Sequence, residues 1–89
     1  MKIRLSKRFG KDALAIDDKR IREKIQLVLI QAKTVENLAS MDDLEDMTGY
    51  PNYYRIKFDY RYRIGIFCTG EVIEFLRVGR REGFYKRFP

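Results

Sequence analysis

Residues 53–68, YYRIKFDYRYRIGIFC, alternate apolar and polar side chains in two successive runs, a period of two that a helix does not produce. In the first run Tyr54, Ile56 and Phe58 point one way and Tyr53, Arg55, Lys57 and Asp59 the other. In the second, Tyr62, Ile64, Ile66 and Cys68 separate from Arg61, Arg63, Gly65 and Phe67. The break between the runs, Asp59-Tyr60, is short enough for a tight connection, and Thr69-Gly70 supplies a second turn. Strands over about 53–59, 61–68 and 72–78 are therefore expected, joined as an antiparallel meander.

The rest of the chain must cover the apolar face of that meander. KIRL at 2–5 reads as a short strand, and Ser6 can cap a helix, SKRFGKDALAI, in which Phe9, Ala13 and Ile16 share one face. Asp17 and Asp18 can cap a second helix with an apolar stripe of Ile21, Ile25, Val28, Leu29 and Ala32. From Thr34 to Asn52 no long period holds; Leu38, Leu44 and Met47 are expected to pin this stretch to the core. The order is β-α-α-β-β-β: an α+β fold with two N-terminal helices packed on one face of a small, mainly antiparallel sheet. At 89 residues this is one domain, 1–89, with one modest core. No run reaches the roughly 18 apolar residues of a membrane span, and the basic N-terminus leads into no apolar signal region, so the expected location is the cytoplasm. A single cysteine, Cys68, excludes an internal disulfide, and the absence of histidine argues against a zinc site. Nothing calls for a cofactor.

Charge is unevenly laid out. Residues 1–33 carry ten basic and four acidic side chains, residues 34–49 none and five, and residues 50–89 nine and four. The net +6 would draw polyanions, nucleic acid first. Alternation places Arg55, Lys57, Arg61 and Arg63 on one face of two neighbouring strands, where like charges repel unless an anion sits between them. The plainer alternative is a solvated face with Asp59 and the acidic 36–46 segment as counterions; that segment reads as a solvated loop rather than an internal mimic of nucleic acid. The last strand adds Arg77 and Arg81, in phase with each other, together with Arg80, Lys86 and Arg87. Its facing is ambiguous, since Val72, Leu76 and Val78 share a side with Glu74 while Ile73 and Phe75 share one with Arg77. A bend at Gly79 would aim Arg81 across the cationic face. Tyr53 and Tyr85 would rim the patch, and aromatics among cations suit a single-stranded nucleic acid.

The blocks GYPNYYRIKFDYRYRIGIF and VIEFLRVGRREGFYKRFP, behind a strand and a helix pair, resemble the RelE/ParE superfamily of bacterial type II toxins, and the YRIK…YRIG…VGRRE…Y pattern is closer to the RelE branch. The resemblance implies a toxin neutralised by a cognate antitoxin protein and acting on the ribosome as a metal-independent endoribonuclease. There the mRNA 2′-OH attacks the adjacent phosphate in the A site. By motif position it assigns catalytic or phosphate-binding roles to Arg55, Lys57, Arg63, Arg81 and Tyr85. Arg55 stands where a lysine is common, and Arg80 where many relatives have histidine. The alternative within the superfamily is a ParE-like toxin that inhibits DNA gyrase and has no nuclease chemistry.

Without histidine the proton shuttle must come from elsewhere. Lys57, ringed by Arg55, Arg63 and Arg81, would feel repulsion favouring its neutral form and is the first choice of base, with Tyr85 second. Arg55, Arg63 and Arg81 suit clamping of phosphate oxygens, because a guanidinium stays charged and binds them in pairs. Arg61, Arg77, Arg80, Tyr53 and Lys86 complete the expected RNA-binding set.

Overall fold

The computed structural model covers residues 1–89 and contains a five-stranded mixed sheet in the order β1-β5-β4-β3-β2. The elements are β1 (Lys2–Leu5), α1 (Lys7–Leu14), α2 (Lys19–Thr34), β2 (Leu44–Asp46), β3 (Tyr53–Phe58), β4 (Tyr62–Thr69), β5 (Val72–Arg80) and a last short helix, α3 (Arg81–Phe84). The fold is α+β, as the hydrophobic periods indicate. Two elements exceed the expected order: β2, which pairs antiparallel with β3 inside the stretch read as a loop, and α3. β1 lies parallel to β5, and every other pair is antiparallel.

Local chemistry accounts for the helix starts. The Ser6 hydroxyl oxygen accepts from the Phe9 N–H at 3.0 Å, and the Asp18 carboxylate accepts from Arg20 N–H at 2.9 Å, so each helix has one otherwise orphaned donor satisfied. Phe9 on α1 and Ile21, Ile25 and Ala32 on α2 are buried against Ile56, Ile64, Ile66, Ile73, Phe75 and Val78 of the sheet. Met41, which no period marks, is buried with them, and Leu38 and Leu44 pack alongside. Cys68 is in this core, where burial raises its thiol pKa. No helix is long and apolar enough to cross a membrane.

The ambiguous facing of β5 has a definite cause. Opposite Gly65 and Ile66 of β4 stand Arg77 and Phe75, which leaves Leu76 as an extra, unpaired residue. This bulge lets Ile73 and Phe75 before it, and Val78 after it, all face the helices. The irregularity thus lies at Leu76, three residues before Gly79. The Ser6 hydroxyl donates to the Leu76 carbonyl at 3.0 Å, so the cap of α1 also satisfies the bulge.

On the second sheet face the C-terminal segment folds back. Phe84 and Phe88 are buried with their ring centroids 5.1 Å apart, and Phe88 meets Tyr53, which in turn meets Phe67. Phe88 lies directly on Gly65: a Cβ there would come within 2.5 Å of its Cε1. Glycine is the residue that leaves this seat open.

Candidate phosphate-binding site

Arg55 and Lys57 project from β3 on the side away from α1 and α2. Glu45 of β2 is the direct partner of Arg55 across the antiparallel ladder, so the two side chains share a face. Arg55 Nε donates to Glu45 Oε1 at 2.8 Å, and Lys57 Nζ lies 3.2 Å from Oε2. One carboxylate thus grips both cations, one oxygen each. The Arg55 hydrogen bond, reinforced by Lys57, holds the Glu45 carboxyl below its ordinary pKa despite a partial desolvation that opposes it. Arg55 is raised in turn, chiefly by Glu45. The Arg55 guanidinium also sits over the Tyr85 ring, 5.4 Å from its centroid, while Tyr85 keeps one side in solvent. The acidic segment is therefore not a purely solvated loop: its Glu45 is the counterion of the cationic face. Asp59, the other expected counterion, turns to α2 and pairs with Lys24 at 2.6 Å and Arg20 at 3.3 Å, which hold its carboxyl low.

The other cations are dispersed. Arg63 is opposite Lys57 in register, yet it is 6% exposed, and its Nη1 donates to the carbonyls of Tyr60 and Tyr62 at 2.9 and 2.8 Å. Its Nε has no partner. Arg63 thus braces the β3–β4 turn, where Asp59 and Tyr60 both take positive φ. Arg61 and Arg81 are exposed and brought together by the Arg81 N–H, which donates to the Arg61 carbonyl at 2.6 Å. Arg77 forms a two-bond ion pair with Asp12 of α1, at 2.8 and 3.1 Å, and Asp12 also accepts from the Val78 N–H. Arg80 lies over the Tyr62 ring in a cleft lined by Asp12, Asp17 and Asp18, on the helix side of β5. Tyr53 is packed among phenylalanines, and Lys86 is exposed.

The structure therefore brings together Arg55, Lys57 and Tyr85, with Arg61 and Arg81 meeting at the start of α3. It does not bring Arg77 or Arg80 to this group. Glu45 is legible in the sequence only as one acid of the 36–46 counterion segment, because its three-residue strand is too short for alternation to single it out; Arg87 lies along Gly79 and Gly83, beside the Arg80 cleft rather than with Arg55. The arrangement can bind an anion with two or more oxygens on a partly exposed face, beside an aromatic ring.

A small α+β domain with a terminal segment folded across a basic sheet face recurs among proteins of known structure. No family model matches the sequence. The chain is 37% identical over 90 residues to Toxin RelE3 of Methanocaldococcus jannaschii, with all of both chains covered. Its fold superposes on the RelB-RelE antitoxin-toxin complex from Methanococcus jannaschii with a TM-score of 0.81 and 35% identity, covering 97% of this chain and 99% of that one. The intact E. coli RelBE complex gives 0.70 at 18% identity, covering 89% and 94%, a likeness of fold. The protein belongs to the RelE family of toxins.

Proposed function

We propose that this toxin is an endoribonuclease that cleaves mRNA in the ribosomal A site and is held inactive by a cognate antitoxin protein. The observation that carries the reading is the convergence of Arg55 and Lys57 on a position already filled by an oxyanion, the Glu45 carboxylate, with the Tyr85 ring against Arg55. In the reaction the ribose 2′-oxygen loses its proton to a base, bonds to the adjacent phosphorus and expels the 5′-oxygen, which takes a proton. The products are a 2′,3′-cyclic phosphate and a 5′-hydroxyl. The chain's own cations supply the charge stabilisation: Arg55 and Arg81 suit the non-bridging oxygens, with no metal required for that task. The Lys57 ammonium that pairs with Glu45 has no lone pair to take a proton, so Lys57 acts as base only after giving up a proton of its own. Tyr85 is the second candidate, stacked on Arg55. Arg63 supports the site from below by fixing the turn that sets Lys57 against it. Complexes of the RelE relatives with RelB support the antitoxin partner.

The test is mapping of mRNA 5′ ends in a translating extract to which purified toxin is added. Wild type is expected to produce new ends within codons at the A site. Lys57→Ala and Arg81→Ala, both at exposed side chains, are each expected to lose activity roughly a hundred- to a thousandfold with folding intact. Intact message in the presence of wild type, with DNA supercoiling blocked instead, would refute the ribonuclease reading. Full activity in both variants would remove these residues from the chemistry.

A further inference from the structure

We infer that Glu45 is an intramolecular stand-in for a substrate phosphate, which organises Arg55 and Lys57 while the site is empty and must leave when RNA binds. The inference rests on the ribonuclease reading for the identity of the ligand, but its geometry does not. Arg55 and Lys57 are two residues apart on one strand face, where two free cations would splay into solvent. Glu45 holds both, with Oε1 on Arg55 and Oε2 on Lys57 at 2.8 and 3.2 Å. The two non-bridging oxygens of a phosphodiester would engage the same donors in the same manner.

Glu45 is also built to let go. Its side chain is 37% exposed, and its polar partners are the two cations alone. It stands on β2, three residues long and the outermost strand of the sheet, with no strand beyond it. A single free phosphate brings nothing to offset the loss of the carboxylate. A nucleic-acid strand does, because neighbouring phosphates reach other exposed cations, Arg61 and Arg81 among them. The carboxylate therefore acts as a selectivity element: it rejects inorganic phosphate and mononucleotides, which abound around any RNA-directed protein, and yields to a polyanion.

The experiment compares wild type, Glu45→Gln and Asp46→Asn. Asp46 is exposed on the same strand and touches neither cation, so its variant makes the same change in net charge without opening the site. Inorganic pyrophosphate is titrated while the side-chain ¹⁵N–¹H signal of Arg55 Nε is followed by NMR. Glu45→Gln is expected to bind about tenfold more tightly than wild type, with Asp46→Asn within about twofold of it. A denaturation midpoint for each variant confirms that the fold is kept. Equal affinities in Glu45→Gln and Asp46→Asn, or weaker binding in Glu45→Gln than in wild type, would overturn the inference. In parallel, a labelled 2′-O-methyl RNA, which cannot be cut, is bound at several salt concentrations. Its log-log salt slope should agree between wild type and Glu45→Gln to within about 0.7, one phosphate contact at the single-strand value, because Glu45 has left in the wild-type complex; a slope steeper than that in Glu45→Gln would show that Glu45 keeps its cations and would overturn the displacement. The expected pyrophosphate ranking without any RNA binding would uphold the Glu45 assignment and count against the ribonuclease reading.

Discussion

The seat of Phe88 on Gly65 offers a sharp test of how the sheet holds its functional end. In Gly65→Ala the new Cβ would lie 2.5–2.7 Å from three atoms of the Phe88 ring, where ordinary contact begins near 3.4 Å. The ring must retreat by about 1 Å, and it is 4% exposed, wedged between Tyr53 and Phe84. Gly65 does not have a positive φ, so the alanine backbone itself is unstrained and would by itself gain about 0.5–1 kcal/mol over glycine in a strand. Unseating a buried phenylalanine forfeits about 1.5–3 kcal/mol. The net expectation is a loss of about 1–2 kcal/mol, or roughly 4–16 °C in melting temperature for a domain of this size. The assay is a double-mutant cycle by urea denaturation. In a Phe88→Ala background the ring is gone, and Gly65→Ala should become neutral or slightly stabilising, a coupling of about 2 kcal/mol. An equal cost in both backgrounds would refute the reasoning. Because the same segment carries Tyr85 to Arg55, Gly65→Ala should also cut activity at temperatures where the protein is still folded.

Two further outcomes follow from the ion pairs. Asp12→Ala leaves the Arg77 guanidinium and the Val78 N–H without partners at a site where both charged side chains are 14% exposed; a loss of about 2–3 kcal/mol is expected in urea denaturation, with α1 the first element to lose amide protection. Asp59 is held below its ordinary value of 3.8, first by the Lys24 hydrogen bond. A lowered carboxylate contributes stability above its unfolded value and loses it as pH falls through the folded one. The advantage of wild type over Asp59→Asn should therefore be full at neutral pH and shrink steadily below pH 3.8; a difference that grew on acidification would contradict the pairing.

Alternation made the core face of β3 and β4 legible, down to Ile56, Ile64, Ile66 and Cys68, because both strands run without interruption. The helix caps at Ser6 and Asp18 were legible too, since they depend on local chemistry alone. What the sequence hid depends on pairing between distant segments. Glu45 meets Arg55 only because β2 docks on β3, and a three-residue strand carries no period of its own. Arg63 follows the outward phase faithfully and is still buried, because the C-terminal segment covers that end of the face and the turn carbonyls take its guanidinium. Arg77 is drawn away by Asp12, 65 positions earlier in the chain.

The bulge at Leu76 has a consequence for comparing relatives. A residue that pairs with nothing can be lost without inverting the strand on either side: with Leu76 removed, Phe75 would still face the helices and Arg77 would still follow it outward. Chains with and without this residue are thus interchangeable in phase, and they differ only by about 3.3 Å of strand length between β1's partner and the start of α3. An alignment faithful to the structure would open its gap inside β5 rather than in the β4–β5 turn, and one that forced the gap into that turn would misassign every position from Val72 to Phe75.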